Sequence, residues 1–414
     1  MRTLILPDAD FLSRERSLLS RLEIGLADEG VRVIHALPRS LDPVAAGTST
    51  DQQQVLYSTS VTYPDDGLPL TLSLRAAAMI RALERVNDEE GGKSAIAATS
   101  ARAVDVVHCF GEASMRFGLA LARGCGASAI IELWSKAHVQ SASKAIRRSG
   151  LGGRALALAP DEQLLAHAQQ ILGPRRVAAA PWGVRSGEGH RKPRQPDRPL
   201  AAVLIASTDP LASTNETTRD HVRQALQGLR AFVDAPPIAP GFANELILFV
   251  DAAAARTLPL MRWAQELNLA PSLTVIPALE ARRDLLVQAD VLLIPQALGE
   301  HRSFVLDAMA AEMPVIARAD PLVDAISEST GVLTVNSTAP DAWFTHILAV
   351  AKPDESLAKR LATAHDYTAR RCRSYLHPQS VVKAYAQIAD ANNELRGFAP
   401  TPLSPPTNTA GGAS

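Results

Sequence analysis

The sequence predicts an α/β protein built from two doubly wound parallel-sheet domains, and three features of the chain carry that prediction. Short aliphatic runs, apolar on both faces, alternate with amphipathic segments of helical period from residue 2 to residue 395, the pattern of repeated βαβ units. The alternation breaks once, at residues 185–199 (RSGEGHRKPRQPDRP), which hold too little apolar surface to pack a core, and then restarts. Finally, residues 295–320 read as strand end, polar loop, helix, turn and strand. That order puts a loop and a helix N-terminus at the carboxyl edge of a parallel sheet, where ligands bind and where helix dipoles favour anions. A chain of 414 residues with 47% hydrophobic content can fill two such cores.

The first domain is expected over residues 1–184. Strand 2–6, an amphipathic helix over 14–26 and strand 31–36 make the opening βαβ unit, whose first loop, Pro7-Asp8-Ala9-Asp10, has no glycine-rich phosphate fingerprint. Residues 48–63, rich in Ser, Thr, Gln and Asp, read as a loop or insertion. A helix over 73–86, strand 104–108, helix 114–123, strands 128–133 and 154–158, a helix from the Asp161 cap to 172 and strand 176–180 follow.

After the linker at 185–199 the second domain is expected over 200–376. Its strands fall at 200–206, 245–250, 273–276, 291–294, 315–317 and 331–335, with helices at 220–233, 258–267, 281–287, 342–350 and 356–373. Pro295 ends one strand because proline cannot donate to a ladder, Ser303 is placed to cap the next helix, and Pro314 bars that helix from continuing. A last helix over 377–395 can return to the first domain, and the tail 396–414, made of Pro, Gly and small polar residues, is expected to be disordered.

Composition narrows the function classes. Forty-two Lys and Arg against 43 Asp and Glu leave no basic surplus of the kind that binds nucleic acid. Three scattered cysteines, Cys109, Cys125 and Cys372, show neither metal-site spacing nor a disulfide framework, which fits a reducing compartment. No apolar run approaches the length of a membrane span or a signal peptide. The expectation is a cytoplasmic protein without a transmembrane segment, with peripheral contact to a membrane left open.

Leu306-Asp307-Ala308-Met309-Ala310 followed by Pro314-Val315-Ile316-Ala317, Gln288-Ala289-Asp290-Val291 with Pro295, and Ala180-Pro181-Trp182-Gly183-Val184 together resemble the GT-B glycosyltransferases. The resemblance is to the retaining family 4 (glycosyl transferases group 1) type with a divergent donor motif, and it extends over most of the chain. It implies two Rossmann-like domains facing across a cleft, with the first on the acceptor side and the second binding a nucleoside-diphosphate sugar. The implied reaction is transfer of that sugar to an acceptor with retention of configuration; no DxD pair sits at a strand end where one would be expected, so neither a metal nor another cofactor is expected. The alternative is a catalytically inactive relative that serves as a binding or regulatory protein.

Carried over position by position, the resemblance makes Glu300 the catalytic-position carboxylate, one residue after Gly299, where the family keeps its first glutamate. Arg302, Ser303, Asp307 and Arg318 become the donor-binding candidates. Asp307 keeps the acceptor chemistry for ribose hydroxyls, and the helix amides with Arg302 and Arg318 would offset diphosphate charge. The Arg and Lys that family members carry after the first strand of the second domain have no counterpart in Ser207-Thr208-Asp209-Pro210-Leu211. An epimerase on the same scaffold would need paired acid and base residues in the first domain, which the sequence lacks.

Overall fold

Leu4, Ile5 and Leu6 lie fully buried at the centre of the first sheet, Leu4 and Leu6 packing on one face and Ile5 on the other. The structure is a computed structural model and describes residues 1–41, 56–65, 71–91, 103–184, 198–208, 214–237 and 244–397. The first sheet contains β1 (Arg2–Pro7), β2 (Arg32–Pro38), β3 (Ser60–Tyr63), β4 (Val106–Phe110), β5 (Ser128–Glu132), β6 (Ala155–Ala159) and β7 (Val177–Ala179). Their spatial order is β3-β2-β1-β4-β5-β6-β7, every pair parallel. The second contains β8 (Leu200–Leu204), β9 (Leu246–Asp251), β10 (Leu273–Ile276), β11 (Val291–Ile294), β12 (Val315–Arg318) and β13 (Leu333–Val335), in the order β10-β9-β8-β11-β12-β13, again all parallel. Both orders reverse direction beside the first strand, so each sheet has the Rossmann switch point at which ligands bind. The predicted fold class holds.

In the first domain, α1 (Ala9–Asp28) lies on one face of the sheet, and α2 (Leu72–Gly91), α3 (Glu112–Cys125), α4 (Lys136–Ser149) and α5 (Glu162–Leu172) lie on the other. The second domain has α6 (Glu216–Asp234), α7 (Ala252–Thr257), α8 (Leu260–Glu266), α9 (Leu285–Gln288), α10 (Ser303–Ala310), α11 (Pro340–Ala351) and α12 (Glu355–Arg371). A final helix, α13 (Leu376–Gly397), buries Val381, Ala384, Tyr385 and Ile388 with α1 against the first sheet.

Several elements differ from their sequence signals. No element is predicted between the strands at 128–133 and 154–158, yet α4 occupies that interval. Its inward face is His138, Val139, Ala142, Ser143, Ile146 and Ser149, too polar to register as an apolar stripe. The strand β3 lies inside the expected loop. Helix α1 begins at Ala9, because Asp8 accepts the Phe11 N–H at 2.8 Å, and it is interrupted at Glu15, whose φ/ψ of −110°/23° is not helical. The helix expected at 258–267 starts earlier and is split by Pro259 into α7 and α8, and the one at 281–287 shrinks to a 3-10 turn plus the single turn α9. The loop expectation at 48–55, the linker at 185–197 and the tail from 398 fall outside the described residues.

Gly331 has φ +87°, and a Cβ there would sit 2.2 Å from the Arg360 carbonyl oxygen of α12. Backbone strain and a backbone clash act together at this site, so Gly331→Ala is expected to destabilise by about 2–4 kcal/mol. A urea-denaturation midpoint unchanged from the parent protein would contradict this.

Candidate functional site at the domain cleft

The loop from Pro295 to Arg302 leaves β11 at the carboxyl edge of the second sheet and is fastened at both ends. Gly299, at φ +64°, donates its N–H to Asp320 at 2.6 Å, and a Cβ there would stand 3.1 Å from Leu322 Cδ1. Gln296 accepts the Ser207 N–H at 2.6 Å, which ties the loop to the end of β8. The loop also pairs with the first domain: the His301 N–H donates to the Trp134 carbonyl at 2.7 Å and the Lys136 N–H to the Gly299 carbonyl at 3.3 Å. The His301 ring lies 2.5 Å from Asp161. Asp161 also caps α5 and accepts the Asp324 N–H, and although burial opposes its charge, His301 and these amides hold its carboxyl below the ordinary range.

Glu300, the catalytic-position candidate, faces the cleft but forms an ion pair with Arg302 and accepts a 3.4 Å hydrogen bond from Ser207 Oγ. Arg302 is buried between Glu300 and Glu280. Burial works against its charge, the two carboxylates outweigh burial, and its pKa rises above the ordinary arginine value. Its guanidinium is therefore committed to protein carboxylates.

Ser303 is not the side-chain cap of α10: Arg302 occupies the N-cap position, and no side-chain cap bond is made there. The cap comes from the other domain. Glu15, at the kink in α1, accepts the Ser303 N–H at 3.1 Å with one carboxylate oxygen and the Ser303 hydroxyl with the other. An anion thus sits at the start of α10, where the amide dipoles favour it. Asp307, in the next turn, is held by Arg21 of α1 at 3.1 and 3.3 Å and by Arg283 at 3.0 Å. Arg283 also donates to Ser303 Oγ at 2.7 Å and lies over the Phe304 ring. Arg318 lies apart from this cluster, donating to the Ser337 carbonyl at 3.4 Å.

The structure therefore gathers Glu300, Arg302, Ser303 and Asp307 at one cleft, while Arg318, the last residue of β12, makes its hydrogen bond to Ser337 and not to this cluster. Four further members, Glu15, Arg21, Glu280 and Arg283, carry no sequence signal as site residues, since each meets its partners in the site 20 or more positions away in the chain. Among the described residues, little space remains between them. Cavities of about 30 Å³ and 10 Å³ flank Glu300 and Arg302, far below the roughly 300–1,000 Å³ of a small-molecule site.

His108, the middle residue of β4, belongs to a separate buried network behind the first sheet. Its Nε2 lies 3.1 Å from Glu132 and its Nδ1 3.0 Å from the Tyr385 hydroxyl of α13. Glu132 also accepts from the Trp182 indole at 2.7 Å and pairs with His377 at 3.2 Å.

Among solved structures, the chain is similar to HepE from Anabaena in complex with UDP (TM-score 0.59, 10% identity, covering 93% of this chain and 100% of that one). It is also similar to sucrose-phosphate synthase from Thermosynechococcus elongatus (TM-score 0.65, 12% identity, 94% and 100%). A glycosyltransferase from Rickettsia africae matches comparably (TM-score 0.60, 11% identity, 94% and 98%). No protein-family model and no curated protein sequence matches the chain. At such identities the likeness is one of fold, and that fold is GT-B: two Rossmann-like parallel-sheet domains facing across a cleft.

Proposed function

We propose that the protein is a glycosyltransferase that moves a sugar from a nucleoside-diphosphate donor to an acceptor with retention of configuration, and that its donor site is held shut by its own first domain. The observation that carries this reading is the Glu15 carboxylate on the Ser303 amide and hydroxyl, with Arg283 alongside. The start of α10 already holds an anion, so the donor diphosphate has a site to enter once Glu15 withdraws. Arg283 then supplies the cation that the residues after β8 do not. Asp307, released from Arg21, accepts ribose hydroxyls, and Glu300 stands nearest the transferred sugar. Amides and a guanidinium aimed at the leaving diphosphate stabilise the charge that develops on it.

Thermal-shift titration with UDP, GDP and ADP tests the proposal in the parent protein and in Glu15→Ala. Removing the carboxylate costs α10 its cap, about 1 kcal/mol, and clears the anion site. The variant is expected to bind the preferred nucleotide about tenfold more tightly than the parent. Absence of stabilisation by all three at millimolar concentration in both proteins would sink the enzyme reading.

The commitment of Arg302 and Asp307 to protein partners favours a second reading, a non-catalytic binding or regulatory protein on the same scaffold. In that case the Arg21–Asp307 pair is a permanent interdomain contact, and the pairs of Arg302 with Glu280 and Glu300 and of Asp307 with Arg283 are permanent contacts within the second domain. Co-purification with an active transferase and no nucleotide response is the result this reading expects.

A further inference from the structure

On the helical face of the first domain, away from the cleft, a cavity of about 470 Å³ runs between α3 and α4 and reaches Leu72 at the start of α2. Buried Met115 and Leu119 of α3 form its floor, with Ala120 and Ala145 beside them. Its walls carry Arg116 and Arg123 from α3 and Lys144 and Arg148 from α4, all exposed. Among the described residues none of these four side chains has a hydrogen-bond or ion-pair partner. The carboxylate in the lining, Glu112, stands at one end and accepts from Ser141 Oγ at 2.6 Å.

Three surface arginines elsewhere in this chain do pair with carboxylates: Arg223 with Glu266, Arg230 with Asp234 and Arg371 with Glu162. The net charge of the whole chain is −1. Four cations around one cavity, none paired among the described residues, are therefore not the by-product of a basic protein. Arg116 and Arg123 stand two turns apart on one wall, roughly 10 Å along the axis. Lys144 and Arg148 stand one turn apart on the other, so an anion between the walls can be met from both sides. Arginine forks suit phosphate oxygens, and the apolar floor gives the remainder of a ligand a surface out of water.

We infer that this cavity binds a phosphate ester with an apolar body, the phosphate between the arginines of α3 and the cations of α4 and the apolar portion on Met115 and Leu119. The site is independent of the donor cleft: none of its lining residues borders the two small cavities there.

Isothermal titration of the full chain with octyl phosphate, inorganic phosphate and octyl glucoside tests it, with the double variant Arg116→Glu/Arg148→Glu as control. Both substituted positions are exposed and unpaired, so the variant keeps its fold, which circular dichroism verifies. Octyl phosphate is expected to bind at least about tenfold more tightly than either fragment probe, and the double variant to lose about tenfold or more of that affinity. Equal affinity for inorganic phosphate would overturn the inference, because the floor would then contribute nothing, and so would binding unchanged in the double variant or no binding at all. A parallel flotation assay with vesicles of phosphatidate and phosphatidylcholine separates the sources of the ligand. Capture lost in the double variant assigns the phosphate to a lipid surface, and octyl phosphate binding without capture assigns it to a soluble ester.

Discussion

Glu132→Ala is expected to destabilise the first domain by about 3–5 kcal/mol, the cost of removing one partner from a buried charged network. Its carboxylate is fully buried and serves His108, His377 and the Trp182 indole at once, so the variant strands three polar groups in the core. The loss extends to the chain's end. His377 and Tyr385 fix α13 to the first sheet through this network, so limited proteolysis is expected to release the C-terminal helix from the variant first. Glu132→Gln keeps an acceptor for the indole and should recover part of the loss. A urea midpoint that does not move in Glu132→Ala would show that the network contributes nothing to folding.

The same network sets an acid limit. Burial opposes the Glu132 charge, but the His377 charge and the hydrogen bonds from both histidines outweigh it, so its pKa lies at about 2 against the ordinary 4.5. A depressed carboxyl contributes stability above its unfolded value, lost as pH falls from 4.5 towards 2. His108 is pushed down from 6.5 by burial, and His138 to about 3 by burial and the nearby Arg14 charge. Both are neutral in the fold, so protonation favours the unfolded chain once pH falls below 6.5. Stability should decline from about pH 6.5 downward, in two stages, the second beginning near 4.5. Denaturation midpoints independent of pH between 7.5 and 4 would contradict this.

Arg302→Ala carries the second large effect, a loss of about 3–5 kcal/mol from the second domain and its interface. Glu280 and Glu300 would be left facing each other without their shared cation, and Glu280 is buried. The double variant Arg302→Met/Glu280→Gln removes both charges and should regain more than half of that stability. If Arg302 were instead a free donor-binding cation, Arg302→Ala would unfold at the parent midpoint and lose only nucleotide affinity. Denaturation of the single and double variants separates the two roles.

Most of the fold is legible in the chain because parallel strands buried on both faces leave continuous aliphatic runs, such as Val291 to Ile294. Helix α4 escapes that reading because its inner face uses histidine, serine and alanine where leucine would be recognised. The cleft is legible only from its second-domain side. Asp307 and Ser303 announce themselves through the motif around α10, whereas Glu15 and Arg21 meet them from nearly 290 positions earlier in the chain, at separations of 288 and 286. No local periodicity encodes such a pairing. Arg283, the cation that stands beside Ser303, looks from sequence like one more charge on a surface helix. His108, by contrast, has its two ring nitrogens tied to Glu132 and Tyr385 within the core.

The kink at Glu15 has a consequence for how any donor would be sensed. If the start of α10 takes a donor diphosphate as proposed, the Glu15 carboxylate that occupies it is a competitor tethered to the protein, and its effective concentration never falls, whatever the solution contains. Apparent affinity for a nucleotide is then the intrinsic affinity multiplied by the open fraction, and about 1.4 kcal/mol of added interdomain adhesion weakens it tenfold. Substitutions at Asp161, His301 or Arg21, none at the reacting atoms, would tune the response threshold in either direction while leaving the chemistry of the open site as it is.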